Sequence, residues 1–205
     1  MVDLSIAGPI VGTLAGIDVA LHLYMDYKKT QLTQAANFRE PSVHISRSAM
    51  VAVAVSTLLS FLLVGLIPLA WIFQIMNPSM GFFFTILDLP YIWLIGLVFL
   101  SCGIFLHGWS RYVRHEMATS WAMTEEQRLI TSGPYSKIRH PSYSSYFLCF
   151  IGLWILLPSL VSLVTLVGFW GYNKVAVIEE EHLLNHFGGA YREYMKRTGR
   201  FFPGL

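Results

Sequence analysis

Charged side chains are scarce in this sequence. Lys, Arg, Asp and Glu together make up 13% of its 205 residues, whereas a soluble domain carries about 25%. The hydrophobic residues account for 55% of the chain and stand in long blocks, which predict an integral membrane protein surrounded by a lipid bilayer. The length fits a single domain. We expect no nucleic-acid partner.

Cysteine and several common motifs are also scarce or absent. The two cysteines, Cys102 and Cys149, lie inside apolar blocks and outside any C-x-x-C pattern, which favours small core or lipid-facing residues. The G-x-G-x-x-G and P-loop patterns are absent, which excludes the common soluble phosphate-binding loops. No Lys or Arg precedes Lys28, so the first apolar block lacks the basic segment of a cleavable signal peptide and predicts a retained membrane helix.

Five apolar blocks predict an all-α fold with about five transmembrane helices. The fourth and fifth blocks meet at Pro158-Ser159, where we expect the last two membrane helices to form a helical hairpin. Pro68 is expected to kink the second helix, and Gly188-Gly189 to end the last one before a short amphipathic helix over 190–200. The blocks are Leu4–Tyr24, Ser48–Met76, Ile86–His107, Ser142–Pro158 and a block that begins at Ser159.

The basic residues predict the orientation in the membrane. All fourteen Lys and Arg lie in 27–47, 107–141 or 173–205, and none lies in the connections 77–85 and 158–159. Basic connections favour the cytoplasmic side of a membrane. We therefore expect the N-terminus outside, and the C-terminus with the segments 107–141 and 173–205 in the cytoplasm.

A polar cluster stands at the start of the fourth block. Arg139 and His140 precede Pro141, which is well tolerated in the first turn of a helix. The predicted hairpin brings this cluster towards Glu179, one of three consecutive glutamates, of which at most two can face one side of a helix. A cation and a carboxylate together suit a ligand that carries both an amino group and a carboxylate. Ordinary surface ion pairs are the alternative interpretation.

Two further sets of polar residues share helix faces. Asp18, His22 and Asp26 recur at every fourth residue, which indicates either a polar pocket wall or a hydrogen-bonded buried face. Glu179, His182 and His186 have the spacing of half a di-iron carboxylate motif. The second half of that motif is missing, so we predict no metal.

The C-terminal residues resemble the isoprenylcysteine carboxyl methyltransferase family and the related phospholipid methyltransferases. The resemblance covers about 120–203 as an ordered set of short motifs, whereas residues 1–106 match only in being membrane helices. These motifs are Leu129-Ile130-Thr131-Ser132-Gly133-Pro134-Tyr135, Arg139-His140-Pro141-Ser142-Tyr143, Glu179-Glu180, Phe187-Gly188-Gly189-Ala190-Tyr191-Arg192-Glu193-Tyr194 and Arg197-Thr198-Gly199-Arg200-Phe201.

The resemblance implies a methyltransferase that depends on S-adenosylmethionine and binds it on the cytoplasmic side. It also implies three membrane helices in 1–106 and a methyltransferase core in 107–205. Arg139, His140 and Glu179 are the catalytic candidates. The residues expected to bind the cofactor are Gln127, Arg128, Leu129, Ile130, Tyr135, His140, Pro141, Ser142, Tyr143 and Glu179.

The methyl acceptor is less well defined by the sequence. The prenylcysteine enzymes carry an Arg about one turn before the Glu-Glu pair, where this chain has Asn173 and Lys174. Lys174 could replace that Arg in binding the acceptor. We expect a lipophilic or prenylated acceptor, most simply a carboxylate of prenylcysteine type. A phospholipid amine and a thiol stay open, as do an NADPH-dependent oxidoreductase of sterol-reductase type and a non-catalytic scaffold.

Overall fold

The computed structural model describes residues 2–32, 45–74, 91–114 and 128–204, with the side chains of 2–28 in the first range. Within these ranges the secondary structure is helical, apart from one isolated parallel bridge between Ile138 and Gly199. The helices are α1 (Leu4–Leu32), α2 (Arg47–Phe73), α3 (Ile92–Arg114), α4 (Pro141–Leu156), α5 (Leu160–Thr165), α6 (Val167–Phe187) and α7 (Gly189–Arg197), with a 3-10 turn at Gly133–Ser136.

The helices confirm an all-α membrane protein. Among the described residues, four helical stretches are long and apolar enough to cross a bilayer, and a shorter apolar helix, α4, accompanies them. The four stretches are Leu4–Lys28, Arg47–Phe73, Ile92–Arg114 and Leu160–Phe187, the last of which combines α5 and α6. The predicted loop 77–85, most of the connector 27–47 and residues 115–127 lie outside the described residues.

Local sequence signals set the helix ends. The Ser46 side chain accepts a hydrogen bond from the backbone N–H of Ala49 and so caps α2. Pro141 occupies the first turn of α4, as its fixed φ angle favours. Gly188 ends α6 with φ +55°, a left-handed conformation that other residues adopt only with strain. The predicted end at Gly188-Gly189 and the short helix after it are therefore confirmed. Pro68 lies inside α2, and the kink expected there stays a prediction.

The most extensive helix pair is α3 with α4, and small residues make it possible. A Cβ atom added to Gly96 would lie 2.6 Å from the backbone nitrogen of Leu156. One added to Gly152 would lie 2.5 Å from the backbone nitrogen of Leu100. The two backbones thus approach closely without side chains between them, as is common for helices packed in lipid.

The remaining helices surround this pair. Helix α1 packs on α2 and α3, and α2 packs on α6. One apolar core joins residues of α1, α2, α3 and α4, including Val11, Ile67, Leu100 and Leu153, which are all fully buried. A second, aromatic core forms around Phe147, Phe150 and Tyr172 and links α4 to α6.

The chain after α7 returns to the segment before α4. The backbone N–H of Arg139 donates to the carbonyl of Gly199 at 2.9 Å, and that of His140 donates to the carbonyl of Arg200 at 3.0 Å. The N–H of Gly199 donates to the carbonyl of Lys137 at 3.1 Å. This pairing fixes the entrance of α4 against the C-terminal segment and positions the site described next.

Candidate functional site

A cavity of about 540 Å³ lies where the polar segments meet the membrane helices. Its wall includes residues from α1, α2, α3, α4, α6 and α7, and from the segment that begins at Arg128. A volume of this size falls in the range of pockets that bind small molecules and cofactors. We therefore take this cavity, which is formed by described residues, as the candidate binding site.

The residues that the sequence assigned to a cofactor border this cavity. Gln127 lies outside the described residues. Asn173 and Lys174, predicted to bind the acceptor, are exposed on α6 and are not part of the cavity wall. The cavity-lining members of the predicted set are Arg128, Leu129, Ile130, Tyr135, Arg139, His140, Pro141, Ser142, Tyr143 and Glu179.

Arg139 is held in a buried ion pair at one side of the cavity. Its Nε donates to Oε1 of Glu180 at 2.7 Å, and its Nη1 donates to the backbone carbonyls of Met195 and Thr198. Arg200 also donates to Glu180, at 2.7 Å from its Nη2. The sequence had suggested Glu179 as the partner of the cationic cluster, whereas the guanidinium of Arg139 pairs with Glu180.

His140 lies between two carboxylates. Its Nδ1 is 3.3 Å from Oε2 of Glu179, and its Nε2 is 3.4 Å from Oε1 of Glu180. Burial by itself lowers the pKa of the imidazole, but the two carboxylates outweigh it and hold the pKa above its usual value. The site therefore favours a cationic His140, which is unsuited to accept a further proton.

Glu179 connects the imidazole to an aromatic row. The hydroxyl of Tyr143 donates to Oε1 of Glu179 at 2.8 Å. The ring of Tyr143 stacks on His140 with centroids 5.3 Å apart, and it contacts Tyr172 at 4.6 Å on its other side. Tyr172 in turn stacks on Tyr146 at 5.1 Å. The cavity thus has a charged end at His140 and an aromatic wall that leads towards α1 and α3.

The turn before α4 is built by its own residues and by α7. Gly133 begins the 3-10 turn with φ +56°, and Pro134 is the second residue of that turn. The hydroxyl of Tyr194 donates to the carbonyl of Tyr135 at 2.6 Å, which ties α7 to the turn. The Gly-Pro-Tyr motif therefore serves to direct Tyr135 into the cavity wall.

Several wall residues were not predicted from the sequence. Arg111 and Arg114 extend from α3, and Tyr146, Tyr191 and Tyr194 come from α4 and α7. A signal existed for three of them. Tyr146 is one turn from Tyr143, and Tyr191 and Tyr194 share one face of the amphipathic last helix. The two arginines gave no such signal, because their position depends on how α3 packs against α1 and α4.

Three buried polar atoms of the wall lack a hydrogen-bond partner among the described residues. They are Nε of Arg114, Nε2 of His140 and the hydroxyl oxygen of Tyr191. Burial raises the pKa of the Tyr191 phenol above its usual value, so it stays a neutral donor. Buried polar atoms are nearly always hydrogen-bonded in folded proteins. A polar ligand with acceptor groups fits this wall.

The metal site considered from the sequence, at Glu179, His182 and His186, is not formed among the described residues. Glu179 faces His140, and the ring of His186 packs edge-on against Phe187 at 4.6 Å. Another group has metal-ligating side chains close together, with one candidate atom from each of Asp18, His22 and His107 within 4.8 Å of the others. Of the polar face predicted on α1, His22 and Asp26 form part of the cavity wall.

Comparison with known proteins gives the family context. Residues 91–190 match the family described as phospholipid methyltransferase. Protein-S-isoprenylcysteine O-methyltransferase of Schizosaccharomyces pombe is 33% identical over 81 residues, which cover 38% of this chain and 34% of that protein. The enzyme of the same name from Xenopus laevis is 36% identical over 115 residues, covering 54% of this chain and 38% of that protein.

A relative with a different name and a solved structure complete the comparison. The nickel-cobalt-cadmium resistance protein NccN of Alcaligenes xylosoxydans xylosoxydans is 37% identical over 78 residues, covering 38% of this chain and 37% of that protein. The chain thus aligns with between 34% and 38% of these relatives' lengths. The structure of the eukaryotic intramembrane Ras methyltransferase, isoprenylcysteine carboxyl methyltransferase, matches with TM-score 0.52 and 22% identity, covering 80% of this chain and 55% of that chain.

Proposed function

We propose that this chain, which resembles the isoprenylcysteine carboxyl methyltransferase family and the related phospholipid methyltransferases, transfers a methyl group from S-adenosylmethionine to a lipophilic acceptor. One observation carries the proposal. The motif residues that the resemblance assigns to the cofactor, among them Tyr135, His140 and Glu179, border a single cavity of about 540 Å³. They come from two parts of the chain, residues 128–143 and Glu179 on α6, so the approach of Glu179 to the others is not a consequence of sequence proximity.

The wall of the cavity has the chemical groups that this cofactor requires. S-adenosylmethionine supplies, when bound, an electrophilic methyl group on a positively charged sulfur. Arg114 and Arg128 are the cavity cations that would hold its carboxylate, and Glu179 is the carboxylate that would hold its ammonium group. Nε of Arg114 and the hydroxyl of Tyr191, which have no hydrogen-bond partner within the described part of the chain, offer hydrogen bonds to a polar ligand.

The residues of the site act mainly by positioning. Tyr143 fixes Oε1 of Glu179 through its hydroxyl, and His140 fixes Oε2. Arg139 and Arg200 hold the neighbouring Glu180, so its negative charge is compensated away from the cavity. A constellation fixed in this way aligns reactants and excludes water, which suits an in-line displacement.

We propose a carboxylate of prenylcysteine type as the acceptor, following the relatives with that specificity in their names. A carboxylate needs no general base, and the two carboxylates beside His140 hold its pKa above the usual value, which favours its cationic form. The phospholipid methyltransferase match favours an amine as the second candidate. An amine would have to lose a proton, and Glu179 is then the acceptor within the site. Asn173 and Lys174 lie on the exposed face of α6 and outside the cavity wall. Their role in binding the acceptor therefore stays a prediction.

We further propose that the site lies on the cytoplasmic side, with the N-terminus outside. The support is the distribution of Lys and Arg between alternate connections. In this arrangement the methyltransferase core of 107–205 receives its cofactor from the cytoplasm and a lipophilic acceptor laterally from the bilayer. Residues 1–106 supply three membrane helices, namely α1, α2 and most of α3. Helices α1 and α2 contribute to the cavity wall, and α3 contributes through its later residues His107, Arg111 and Arg114.

The proposal is tested by methyl transfer with the purified chain in lipid nanodiscs. Labelled S-adenosylmethionine is offered with a prenylated cysteine, phosphatidylethanolamine vesicles or an alkyl thiol, and the products are identified by mass. We expect a labelled methyl ester on the prenylated cysteine. Label on the lipid amine or on the thiol would show that the acceptor differs from the one proposed, while methyl transfer itself would still be supported.

A binding measurement addresses the cofactor independently of the acceptor. We expect S-adenosylhomocysteine to raise the thermal unfolding midpoint, because a ligand that binds only the folded state stabilises it. NADPH should leave the midpoint unchanged. Stabilisation by NADPH alone would instead support the oxidoreductase alternative. It would overturn the proposal that S-adenosylmethionine is the methyl donor.

A further inference from the structure

A second polar cluster lies between α1 and α3, away from the charged end of the cavity. Asp18 and His22 are one turn apart on α1, and His107 faces them from α3. The Nδ1 of His107 lies 3.0 Å from Oδ2 of Asp18, and the two imidazole rings stack with centroids 4.7 Å apart. All three residues belong to helical stretches long enough to cross a membrane. Ionisable groups in such stretches are costly and usually functional.

The geometry points to a binding site for a divalent transition metal ion formed by Asp18, His22 and His107. One candidate ligand atom from each residue lies within 4.8 Å of the other two. Two imidazoles and one carboxylate suit Zn²⁺, Co²⁺ or Ni²⁺ rather than the hard cations that prefer oxygen ligands alone. Metal–ligand distances are about 2 Å, so the three side chains close around the ion by rotation.

The hydrogen bonds of the two histidines match those of metal ligands. Nδ1 of His22 lies 2.8 Å from the carbonyl oxygen of Asp18. A carbonyl only accepts, so Nδ1 carries the proton and Nε2 offers its lone pair. The Nε2 of His107 lies 3.1 Å from the hydroxyl of Tyr146. With metal on Nδ1 of His107, the proton moves to Nε2, which donates to that hydroxyl. Ligating histidines commonly use their second nitrogen in this way.

The carboxylate is incompletely satisfied in the present arrangement. Oδ1 of Asp18 is buried and accepts no hydrogen bond from the described residues, although the side chain is 12% exposed overall. Buried carboxylate oxygens are usually paired, so this oxygen points to a cationic ligand. The guanidinium of Arg111, one turn after His107 on α3, pairs with Asp26 at 2.5 Å.

The cluster is reachable from the cavity. His22 and His107 form part of the cavity wall, and so does Tyr146. Three protein ligands leave a coordination position open, which is the arrangement of zinc sites that bind a further ligand. The open position would take water or an electron-rich group, such as a thiolate or carboxylate, from a molecule in the cavity. The site does not depend on the methyl donor proposed above.

Metal titration of the full chain, purified in detergent without a polyhistidine tag, tests the site. We expect one Co²⁺ per chain, with visible absorption bands of a coordinated ion, and one Zn²⁺ that displaces it. His22→Ala and His107→Ala should each weaken Zn²⁺ binding at least tenfold. His186→Ala is the matched control, because His186 is exposed on α6 and away from the cavity wall, and it should bind as the unmodified chain does.

The Tyr146→Phe variant distinguishes a metal-binding role of the cluster from a role in helix packing alone. It keeps the aromatic ring and removes only the hydroxyl near His107, so we expect about a tenfold loss of Zn²⁺ affinity, as for other partners of metal ligands. If His107→Ala fails to fold by circular dichroism, His107→Gln replaces it. The proposal is overturned if the unmodified chain binds no Co²⁺ or Zn²⁺, or if the His22 and His107 variants bind as tightly as it does.

Discussion

The Nε of Arg139 and Oε1 of Glu180 form a 2.7 Å hydrogen bond that joins the segment before α4 to the middle of α6. Both side chains are buried, with 9% and 4% exposed. The two residues are 41 positions apart in the sequence. This pair holds the entrance of α4 against the helix that carries Glu179, and so determines the width of the charged end of the cavity.

Removing Arg139 should destabilise the folded chain. Breaking a buried ion pair costs about 3–5 kcal/mol, because the remaining charge stays buried. Arg200 still compensates Glu180, so we expect Arg139→Ala to lose about 3 kcal/mol of unfolding free energy, at the lower end of that range. Arg192→Ala on the exposed face of α7 is the control. Equal unfolding free energies for both variants would contradict a structural role of the pair.

His140 and Glu179 should matter for cofactor binding more than for folding. His140→Ala or Glu179→Ala is expected to weaken S-adenosylhomocysteine binding at least tenfold, or about 1.4 kcal/mol. The reason is that each removes a charged group from the cavity wall. Isothermal titration of the purified variants measures the effect, with Glu181→Ala as control, since Glu181 is exposed on the same helix. Unchanged affinities in both cavity variants would show that the ligand binds elsewhere.

Stability should fall as the pH rises above neutrality. The pKa of His140 is raised in the folded protein, because two carboxylates outweigh the effect of burial. The protonated ring therefore contributes its full stabilisation below the usual histidine pKa of about 6.5. That contribution is lost as the pH rises through the folded-state pKa. We expect the unfolding midpoint to decline over this interval and the decline to flatten in His140→Gln, as followed by thermal scans at successive pH values.

The contact between α3 and α4 should not tolerate a methyl group. In Gly152→Ala the new Cβ would meet backbone atoms of Leu100 and Gly96 at 2.5 and 2.8 Å, so the helices must separate. Overpacking of this kind costs about 1–3 kcal/mol. Gly65→Ala is the matched control within α2, because its Cβ would meet nothing within 4 Å. The free energy of unfolding in lipid-like detergent should fall for the first variant and not for the second.

The sequence was sufficient to predict an all-α membrane protein and the entrance of α4. Block length and apolar composition determine where a chain can cross a bilayer, and the Arg-His-Pro motif predicted a helix that begins at Pro141. It also predicted that only part of the glutamate run faces inward. Glu179 and Glu180 are buried, whereas Glu181 is exposed, as the 100° rotation per residue requires.

Contacts between distant helices could not be predicted in the same way. Helical spacing gives the relative angle of residues on one helix and says nothing about which helix lies opposite. The pairing of Arg139 with Glu180 rather than Glu179 depends on the rotation of α6 against α4. The approach of His107 to Asp18 spans 89 positions and depends on the packing of α3 against α1. Arg111 and Arg114 reach the cavity for the same reason.

The backbone pairing of 137–140 with 199–200 has a consequence for the order of assembly. The N–H groups of Arg139 and His140 donate to carbonyls of Gly199 and Arg200. A chain that is synthesised and inserted from its N-terminus therefore exposes the α4 entrance long before its partners exist. The charged end of the cavity can close only after residue 200 has left the ribosome, so a ligand that needs this end can bind only chains whose translation has passed that residue.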